Sequence, residues 1–229
     1  MPRQKMKNNT KPIKASGGSS GSFHVNFKND AQSMAWAAFK QHDVLFLIGP
    51  AGTGKSFLAC AFAVEQLVNK ERKRIILTRP IVESGESLGY LPGEFEDKVE
   101  PYMMPMYDCI DKLVGREGPL RDRVDQAVEV APIAYMRGRT FDDAVCIFDE
   151  AQNASYSQLT LFLTRFGENS KIIITGDPTQ SDLHGEVALM KVLQRIKDID
   201  GVGIVQFKSN SIVRHPMIGK IIEKLDLKD

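Results

Sequence analysis

Short apolar runs alternate with segments of helical periodicity from Phe23 to the end of the chain. The apolar runs are rich in Ile, Val, Leu and Phe and lack polar alternation: DVLFLIG, KRIILTR, DAVCIFDE, SKIIITGD and GVGIVQF. Such runs are typical of strands buried on both faces of a parallel sheet. Helical periodicity falls near residues 31–40, 55–69, 95–114, 156–166, 184–197 and 216–226. The pattern predicts a single doubly wound α/β domain over residues 23–229, with a mostly parallel sheet and helices on both faces.

The first 22 residues have a different character. Residues 1–14 contain five basic residues and no acidic residue: Arg3, Lys5, Lys7, Lys11 and Lys14. The tract SGGSSGS follows at Ser16 to Ser22. This segment carries almost nothing that folding could bury, so we expect residues 1–22 to be a disordered basic arm with a flexible Gly/Ser linker. The arm either attracts phosphate backbones or is simply a solvated tail.

Composition excludes several classes of protein. The chain has 229 residues, of which 42% are hydrophobic, enough for one full α/β core. No apolar run reaches the ~18 residues of a membrane span, and the N-terminus lacks the apolar centre of a signal peptide. We therefore expect a cytoplasmic protein with no membrane partner. The cysteines form no CxxC pair and are expected to be reduced and buried, and the histidines show no metal-ligand spacing.

The stretch FLIGPAGTGKSFLACAF contains a complete phosphate-loop motif. Gly49, Gly54, Lys55 and Ser56 satisfy G-x-x-x-x-G-K-[ST], after a predicted strand and before a predicted helix. Glycines allow backbone N–H groups to converge on a phosphate, the lysine bridges β and γ oxygens, and the serine ligates Mg²⁺. The motif predicts a nucleotide site with Mg²⁺ as cofactor, lined by Gly49, Pro50, Ala51, Gly52, Thr53, Gly54, Lys55, Ser56 and Phe57.

An acidic pair at the end of another predicted strand supplies the metal partner. In AVCIFDEAQN, Asp149 is predicted to hold Mg²⁺, and Glu150, pointing in a different direction, is predicted to act as the general base on water. A carboxylate that polarises water indicates hydrolysis. The alternative is a pair of acids at a polar strand end.

Two further side chains are candidates for sensing or stabilising the γ-phosphate. Gln180, in IITGDPTQ, can orient water or report the γ-phosphate; alternatively Pro178 only ends the strand in a turn. Arg214, in NSIVRHP, fits transition-state charge stabilisation, with a surface cation as the alternative.

Several long segments resemble the PhoH-like family of P-loop ATPases, in its short phage and bacterial type. These segments are RPIVESGESLGYLPGEFEDKVEPYMMPMYD, MRGRTFDDAVCIFDEAQN, LTRFGENSKIIITGDPTQSDL and VRHP. The resemblance extends from about Asp30 to the C-terminus. It implies a RecA-like ATPase core akin to the first core of superfamily 1 helicases, in which a sensor strand separates the Glu150 strand from the phosphate-loop strand.

The resemblance also implies roles for residues outside the phosphate loop. Gln32 matches the glutamine that recognises adenine in related helicases, so ATP is the implied nucleotide. Arg79, in TRPIVESGE, matches the position where such helicases begin to contact a single strand. Arg79 is therefore a candidate for contacting nucleic acid or for coupling strand binding to ATP hydrolysis. The implied partner is single-stranded RNA or DNA.

Longer PhoH relatives carry a nuclease domain, and nothing ahead of Phe23 resembles one, so intrinsic RNase activity is not expected. A monomeric superfamily 1 helicase needs a second core, which is not recognisable in this sequence. We therefore expect any motor activity to require a homo-oligomer, hexameric by resemblance, with Arg214 acting on its own ATP site or a neighbour's.

The segment from Gly85 to Arg139 separates two predicted strands by more than one crossover helix needs. Its amphipathic part is expected to be broken at Pro101 and Pro105, and arginines follow, with Arg137 and Arg139 as nucleic-acid candidates. Insertions of this size are usually functional. We predict a subunit interface and a nucleic-acid-binding surface here; a helical pair packed on the sheet edge is the alternative.

Three functions remain open. The favoured one is an ATP hydrolase that acts on RNA or DNA. The second is a small-molecule or nucleotide kinase, whose arginine-rich lid only the RDR and MRGRT tracts could provide. The third is a nucleotide-dependent interaction switch without motor action.

Overall fold

A computed structural model of the chain describes residues 23, 25–81, 95–180, 188–208 and 211, with the side chains of 95–98 excepted. The strands are β1 (Val44–Ile48), β2 (Arg74–Thr78), β3 (Val128–Val130), β4 (Ala144–Phe148), β5 (Lys171–Gly176) and β6 (Val202–Gln206). The helices are α1 (Asp30–Gln41), α2 (Lys55–Val68), α3 (Phe95–Val114), α4 (Pro119–Ala127), α5 (Tyr156–Leu163) and α6 (Ala188–Ile196).

The strands form one parallel sheet in the order β3-β2-β4-β5-β1-β6. Each apolar run predicted to be a strand is one. The order places β5 between β1 and β4, which confirms the RecA-like arrangement expected from the resemblance. Because all strands are parallel, their carboxyl ends share one edge of the sheet, and the loops that follow β1, β4 and β5 meet there.

Alternate residues of the central strands supply two separate hydrophobic cores. Leu45, Ile147 and Ile173 pack on one face against the helices α1 to α3. Phe46, Phe148 and Ile174 pack on the other face against α5 and α6. Strands that bury both sets of side chains require apolar residues at every position, which is why their sequences show no polar alternation.

Aromatic rings join the first two helices on the α1 side of the sheet. Phe62 of α2 is fully buried, and its ring lies 4.7 Å from those of both Trp36 and Phe39 of α1, measured between centroids. Phe27 extends the cluster, with its ring 5.3 Å from Trp36. These contacts hold α1 against the helix that follows the phosphate loop.

The predicted break at Pro101 and Pro105 is wrong, because α3 is one helix with both prolines inside it. Each proline removes one backbone hydrogen bond. Both lie on the exposed face, where water can satisfy the carbonyls that lose their partners. The opposite face carries the buried residues Val99, Met103, Met106, Ile110 and Leu113, whose packing stabilises the helix across the prolines.

Two elements of the insertion carry no clear sequence signal. Helix α4 begins after Gly118, with Pro119 in its first turn. Val124 is its one buried residue, and a helix that buries so little needs no apolar stripe in its sequence. Strand β3 has only three half-buried residues, and Glu129 at its centre binds Arg74 and Arg139. Helices α3 and α4 both contact α2. The described part of the insertion is therefore packed on the body of the domain.

The cysteines in the described residues are free thiols, as expected. Cys60 and Cys146 are buried as predicted, whereas Cys109, also predicted to be buried, is half-buried. Burial raises the pKa of the Cys146 thiol to about 12, so it stays protonated at neutral pH.

The predicted arm of residues 1–22 and the predicted helix at 216–226 lie outside the described residues. Helix α5 ends at Leu163, three residues before the predicted boundary, where the hydroxyl of Thr164 bonds back to the carbonyls of Thr160 and Leu161. Within the described part of the chain, no helix combines the length and apolar character needed to span a membrane.

Candidate nucleotide site

The phosphate loop connects β1 to α2 and depends on glycine geometry. Gly49 has a φ of +145°, and a Cβ there would lie 2.4 Å from the carbonyl oxygen of Phe207, which follows β6. Gly52 and Gly54 also have positive φ. Helix α2 begins at Lys55 without a side-chain cap, so its first N–H groups point into the loop. A free helix N-terminus ringed by such a loop is suited to bind an anion.

Lys55 lies across this loop and is almost fully buried. Its ammonium donates hydrogen bonds to the carbonyls of Gly49 and Pro50, with Nζ···O distances of 2.6 and 2.9 Å. The cation therefore sits over the loop's own carbonyls, within the region where the motif places phosphate oxygens.

Three polar side chains meet at the carboxyl edge of the sheet. The hydroxyls of Ser56 and Thr175 both donate to Oδ1 of Asp149, at 2.6 and 2.5 Å. The N–H of Asp149 donates to the carbonyl of Thr78, so α2, β2, β4 and β5 are all bonded to one residue. We call Ser56, Asp149 and Thr175 the hydroxyl–carboxylate cluster.

This cluster fits Mg²⁺ by its chemistry. Mg²⁺ takes hard oxygen ligands, and it is usually bound through one or two carboxylates together with substrate phosphates. The described residues contain no group of three or more His, Cys, Asp or Glu side chains that could hold a metal unaided. The cluster matches a metal that arrives with a phosphate ligand.

Glu150 follows Asp149 with an unusual backbone. Its φ of +54° places it in the left-handed region, which a non-glycine residue rarely adopts. Strand β4 ends at Phe148, so this backbone turn, rather than strand alternation, directs the two acids apart. The side chain of Glu150 is 37% exposed and accepts a hydrogen bond from the amide of Gln152.

Arg79 lies beside both acids at the carboxyl end of β2. Its guanidinium is 3.6 Å from Glu150 Oε1 and 4.0 Å from Asp149 Oδ2, and it also donates to the carbonyl of Tyr102. The residue predicted to contact nucleic acid therefore contacts the residue predicted to activate water.

The turn after β5 is bonded to the phosphate loop through Asp177. Its carboxylate accepts hydrogen bonds from the N–H of Ala51 and from Thr179, and its own N–H donates to the Gln152 side chain. Gln180 lies three residues further on, with an exposed side chain, at the predicted sensor turn. Asp177 thus connects the loop to the acidic strand end through Gln152.

Gln32 is buried at the start of α1 and contacts the phosphate loop. Its amide nitrogen donates to the carbonyl of Thr53 at 3.3 Å, and its amide oxygen accepts from the N–H of Lys28 at 2.8 Å. Both ends of the amide are occupied by protein groups in this conformation. The predicted recognition of adenine would require Gln32 to exchange at least one of them.

The remaining predicted residues are not brought to this cluster. Arg139 pairs with Glu129 of β3 and lies over the ring of Phe141, and Arg137 is exposed on the same turn. Arg214 lies outside the described residues. Phe57, in the first turn of α2, is partly buried and packs against the hydrophobic core on the α1 side.

Sequence reasoning missed the roles of Thr175 and Gln152. Both lie at or just after the carboxyl end of a central strand, the edge at which parallel α/β sheets bind ligands. The available signal for Thr175 was a polar residue at the end of an apolar run, as in IIITGD.

The strand order and the loop between β1 and α2 define a P-loop protein of the RecA-like α/β class. The family model described as PhoH-like protein matches residues 24–226. The chain belongs to this family.

Curated relatives support the assignment. A PhoH-like protein of Bacillus subtilis is 48% identical over 204 residues, covering 88% of this chain and 64% of that protein. Protein PhoH of Escherichia coli is 43% identical over 192 residues, covering 82% of this chain and 54% of that protein. The chain therefore spans less than two thirds of the length of these relatives.

Among solved structures, the Pif1 helicase from Candida albicans has a TM-score of 0.46 at 17% identity, covering 88% of this chain and 44% of that one. A TM-score this low establishes no shared fold, so the fold rests on the strand order described above.

We expect Thr175→Val to lower the free energy of unfolding by about 1–3 kcal/mol, because the substitution removes a donor to the buried carboxylate of Asp149. Urea unfolding measures this change. Thr160→Val is the matched control, since the Thr160 hydroxyl is exposed and bonds only within its own helix; a change within about 0.5 kcal/mol is expected. Equal changes in the two variants would contradict the role of Thr175.

Proposed function

We propose that this protein binds ATP with Mg²⁺ and hydrolyses it, coupling hydrolysis to the binding of single-stranded RNA or DNA. The observation that carries the proposal is the convergence of Lys55, the hydroxyl–carboxylate cluster and Glu150 on one edge of the sheet. A phosphate loop, a metal-binding carboxylate and an adjacent exposed carboxylate are the parts that phosphoryl hydrolysis requires.

Each part has a defined task in this proposal. The N–H groups at the start of α2 bind phosphate oxygens, and Lys55 exchanges the carbonyls of Gly49 and Pro50 for them. Ser56 and Asp149 would hold Mg²⁺, which would neutralise phosphate charge when bound. Thr175 fixes the orientation of Asp149 through its hydroxyl.

Glu150 is the proposed general base that removes a proton from water. Its carboxylate is partly exposed, so water can reach it, and Gln152 orients it. The guanidinium of Arg79 lies 3.6 Å from Glu150 Oε1 and so takes up space from which water would donate to that oxygen. Moving Arg79 away from Glu150 would therefore favour proton transfer.

This contact gives a physical route for coupling. Arg79 occupies the position expected to meet a nucleic-acid strand, and a phosphate that attracts its guanidinium competes with Glu150. We infer that strand binding draws Arg79 from Glu150 and speeds hydrolysis.

Three of the four arginines in the tracts that the kinase alternative requires are engaged elsewhere, and the fourth, Arg137, is exposed. Arg121 pairs with Asp111 and Asp125, and Arg123 donates to the carbonyl of Leu67. Arg139 pairs with Glu129. These contacts within the domain body favour hydrolysis over a kinase with an arginine-rich lid.

We expect Lys55→Ala to weaken ATP binding, whereas Glu150→Gln should retain binding and lose at least ~100-fold in hydrolysis, because a general base acts on water only in the transition state. Calorimetric titration measures the binding, and phosphate release measures the rate. Glu117→Gln, an exposed acid beyond α3, is the control. Hydrolysis by Glu150→Gln at the unmodified rate would show that another group activates water.

Phosphate release should rise when single-stranded RNA or DNA is added, and Arg79→Ala should abolish this response while raising the unstimulated rate. Lys112→Ala removes an exposed cation from α3 and should respond as the unmodified protein does. If Arg79→Ala is stimulated as strongly as Lys112→Ala, Arg79 has no part in coupling.

Self-association into a ring, hexameric by resemblance, is part of the same proposal. A single core leaves one side of the γ-phosphate uncovered, and an arginine such as Arg214 can be supplied by the same or a neighbouring subunit.

Light scattering with ATP present should give the mass of an oligomer. Mixed Arg214→Ala and Lys55→Ala subunits should regain partial activity if the arginine acts on a neighbour, whereas a monomeric mass would contradict the ring.

A further inference from the structure

Two of the three cysteines in the chain lie where α2 packs against α3. Cys60, in the second turn of α2, is buried, and Cys109, in the C-terminal half of α3, is half-buried. The two helices are in direct contact, with Cα atoms within 8 Å of each other. The phosphate-loop chemistry described above gives neither thiol a role.

The thiol of Cys60 reaches two groups on α3. Its Sγ lies 3.9 Å from the carbonyl oxygen of Met106, and the thiol also donates a hydrogen bond to the sulfur of Cys109. Met106 and Cys109 are three residues apart and so share one face of the helix. The two sulfur atoms therefore face each other across the interface between the helices. A disulfide needs cysteines whose side chains point toward each other, and this pair meets that condition.

The surroundings give the two thiols different reactivities. The hydrogen bond from Cys60 lowers the pKa of the Cys109 thiol, and Lys112 acts in the same direction. Burial and the carboxylates of Asp149 and Asp108 oppose this lowering. The same hydrogen bond, together with complete burial, raises the pKa of the Cys60 thiol well above its ordinary value. Because the thiolate is the reactive form of cysteine, Cys109 is suited to react first with an oxidant and Cys60 to react second.

The position of Cys109 limits the size of that oxidant. A half-buried sulfur is accessible to a small uncharged molecule before it is accessible to a peptide disulfide. Hydrogen peroxide is such a molecule, and it oxidises a cysteine thiolate to a sulfenic acid. A second thiol in contact with the sulfenic acid converts it to a disulfide.

We propose that Cys109 is an oxidation site for hydrogen peroxide and that Cys60 converts the oxidised form to a disulfide between α2 and α3. The Cys109 thiolate attacks one peroxide oxygen and the O–O bond breaks, so that the sulfur becomes a sulfenic acid and the other oxygen takes up protons and leaves as water. The Cys60 sulfur then attacks the Cys109 sulfur, and the sulfenic hydroxyl leaves as water with the proton of the Cys60 thiol. Two thiols thereby lose two electrons, and one peroxide is reduced to two waters.

The disulfide fastens α3 to the helix that begins at Lys55. Helix α3 in turn contacts Arg79 through the carbonyl of Tyr102, so the bond joins two elements that lie on either side of the candidate nucleotide site. It also closes a loop of about 50 residues, which restricts the unfolded chain and so favours the folded one. The inference goes beyond the proposed function and does not depend on it.

Peptide mass spectrometry of the full chain tests the bond. Trypsin places the three cysteines in separate peptides, at residues 56–70, 99–112 and 140–165. After treatment with hydrogen peroxide, the first two peptides should be found joined, with a mass two hydrogens below their sum, and dithiothreitol should separate them. The oxidised chain should also migrate as a monomer without reductant and unfold at a higher urea concentration than the reduced chain.

Variants separate the roles of the two cysteines. In Cys60→Ser, dimedone, a reagent for sulfenic acids, should label Cys109, because serine can donate the hydrogen bond but cannot form the disulfide. In Cys109→Ser, Cys60 should be labelled at least ~tenfold more slowly, as its burial and raised pKa require. Cys146→Ala is the control: Cys146 lies in the hydrophobic core on the other face of the sheet, so this variant should form the disulfide as the unmodified protein does.

Each result has a defined meaning. Absence of the joined peptide after peroxide treatment would overturn the proposal, and so would a disulfide that joins Cys109 of two chains. Equal labelling of Cys60 in Cys109→Ser and of Cys109 in Cys60→Ser would overturn the assignment of Cys109 as the oxidation site. Should either variant fail to fold, the joined peptide of the unmodified protein still decides whether the bond forms. None of these measurements requires ATP hydrolysis or nucleic-acid binding, so the inference and the proposed function can fail separately.

Discussion

One buried carboxylate organises the functional edge of this protein. Asp149 is 2% exposed, and charge in such a place is tolerated only when hydrogen bonds or cations replace water. Two hydroxyls and one strand carbonyl connect it to α2, β5 and β2. The loop, the sensor turn and the Arg79 segment are consequently fixed relative to one another through a single residue.

The two hydrophobic cores make this arrangement rigid enough to be useful. Central strands packed on both faces cannot slide or rotate without disturbing both sets of helices. The strand ends therefore hold their polar side chains at fixed separations. The residues that would move under the proposed function, Lys55 and Arg79, have long side chains that can move while the backbone stays in place.

Sequence reasoning predicted the sheet and the loop because their signals are local. An apolar run buried on both faces and the spacing from Gly49 to Ser56 are both visible in a short window. Strand β3 carries no apolar signal for a physical reason, since its central Glu129 is stabilised by ion pairs with Arg74 and Arg139, which lie outside the strand. The same applies to α4, which buries too little to require an apolar stripe.

The candidate site was predicted in its parts but not in its connections. The pairing of Ser56 with Asp149 follows from the motif together with the strand order. The roles of Thr175 and Gln152 depend on which side chains face one another across neighbouring strand ends. The contact of Arg79 with Glu150 depends on a left-handed backbone at Glu150 that no local sequence signal announces.

The close approach of Gly49 to Phe207 has a consequence for interpreting variants. These residues are far apart in sequence, yet the backbone of one rests against the backbone of the other, with the N–H of Phe207 bonded to the carbonyl of Ile48. A substitution that shifts the end of β6 would therefore distort the phosphate loop without touching any of its residues. An inactive variant at Val205 or Phe207 would resemble a catalytic defect in a genetic screen, although its cause is displacement of the surface on which the loop rests.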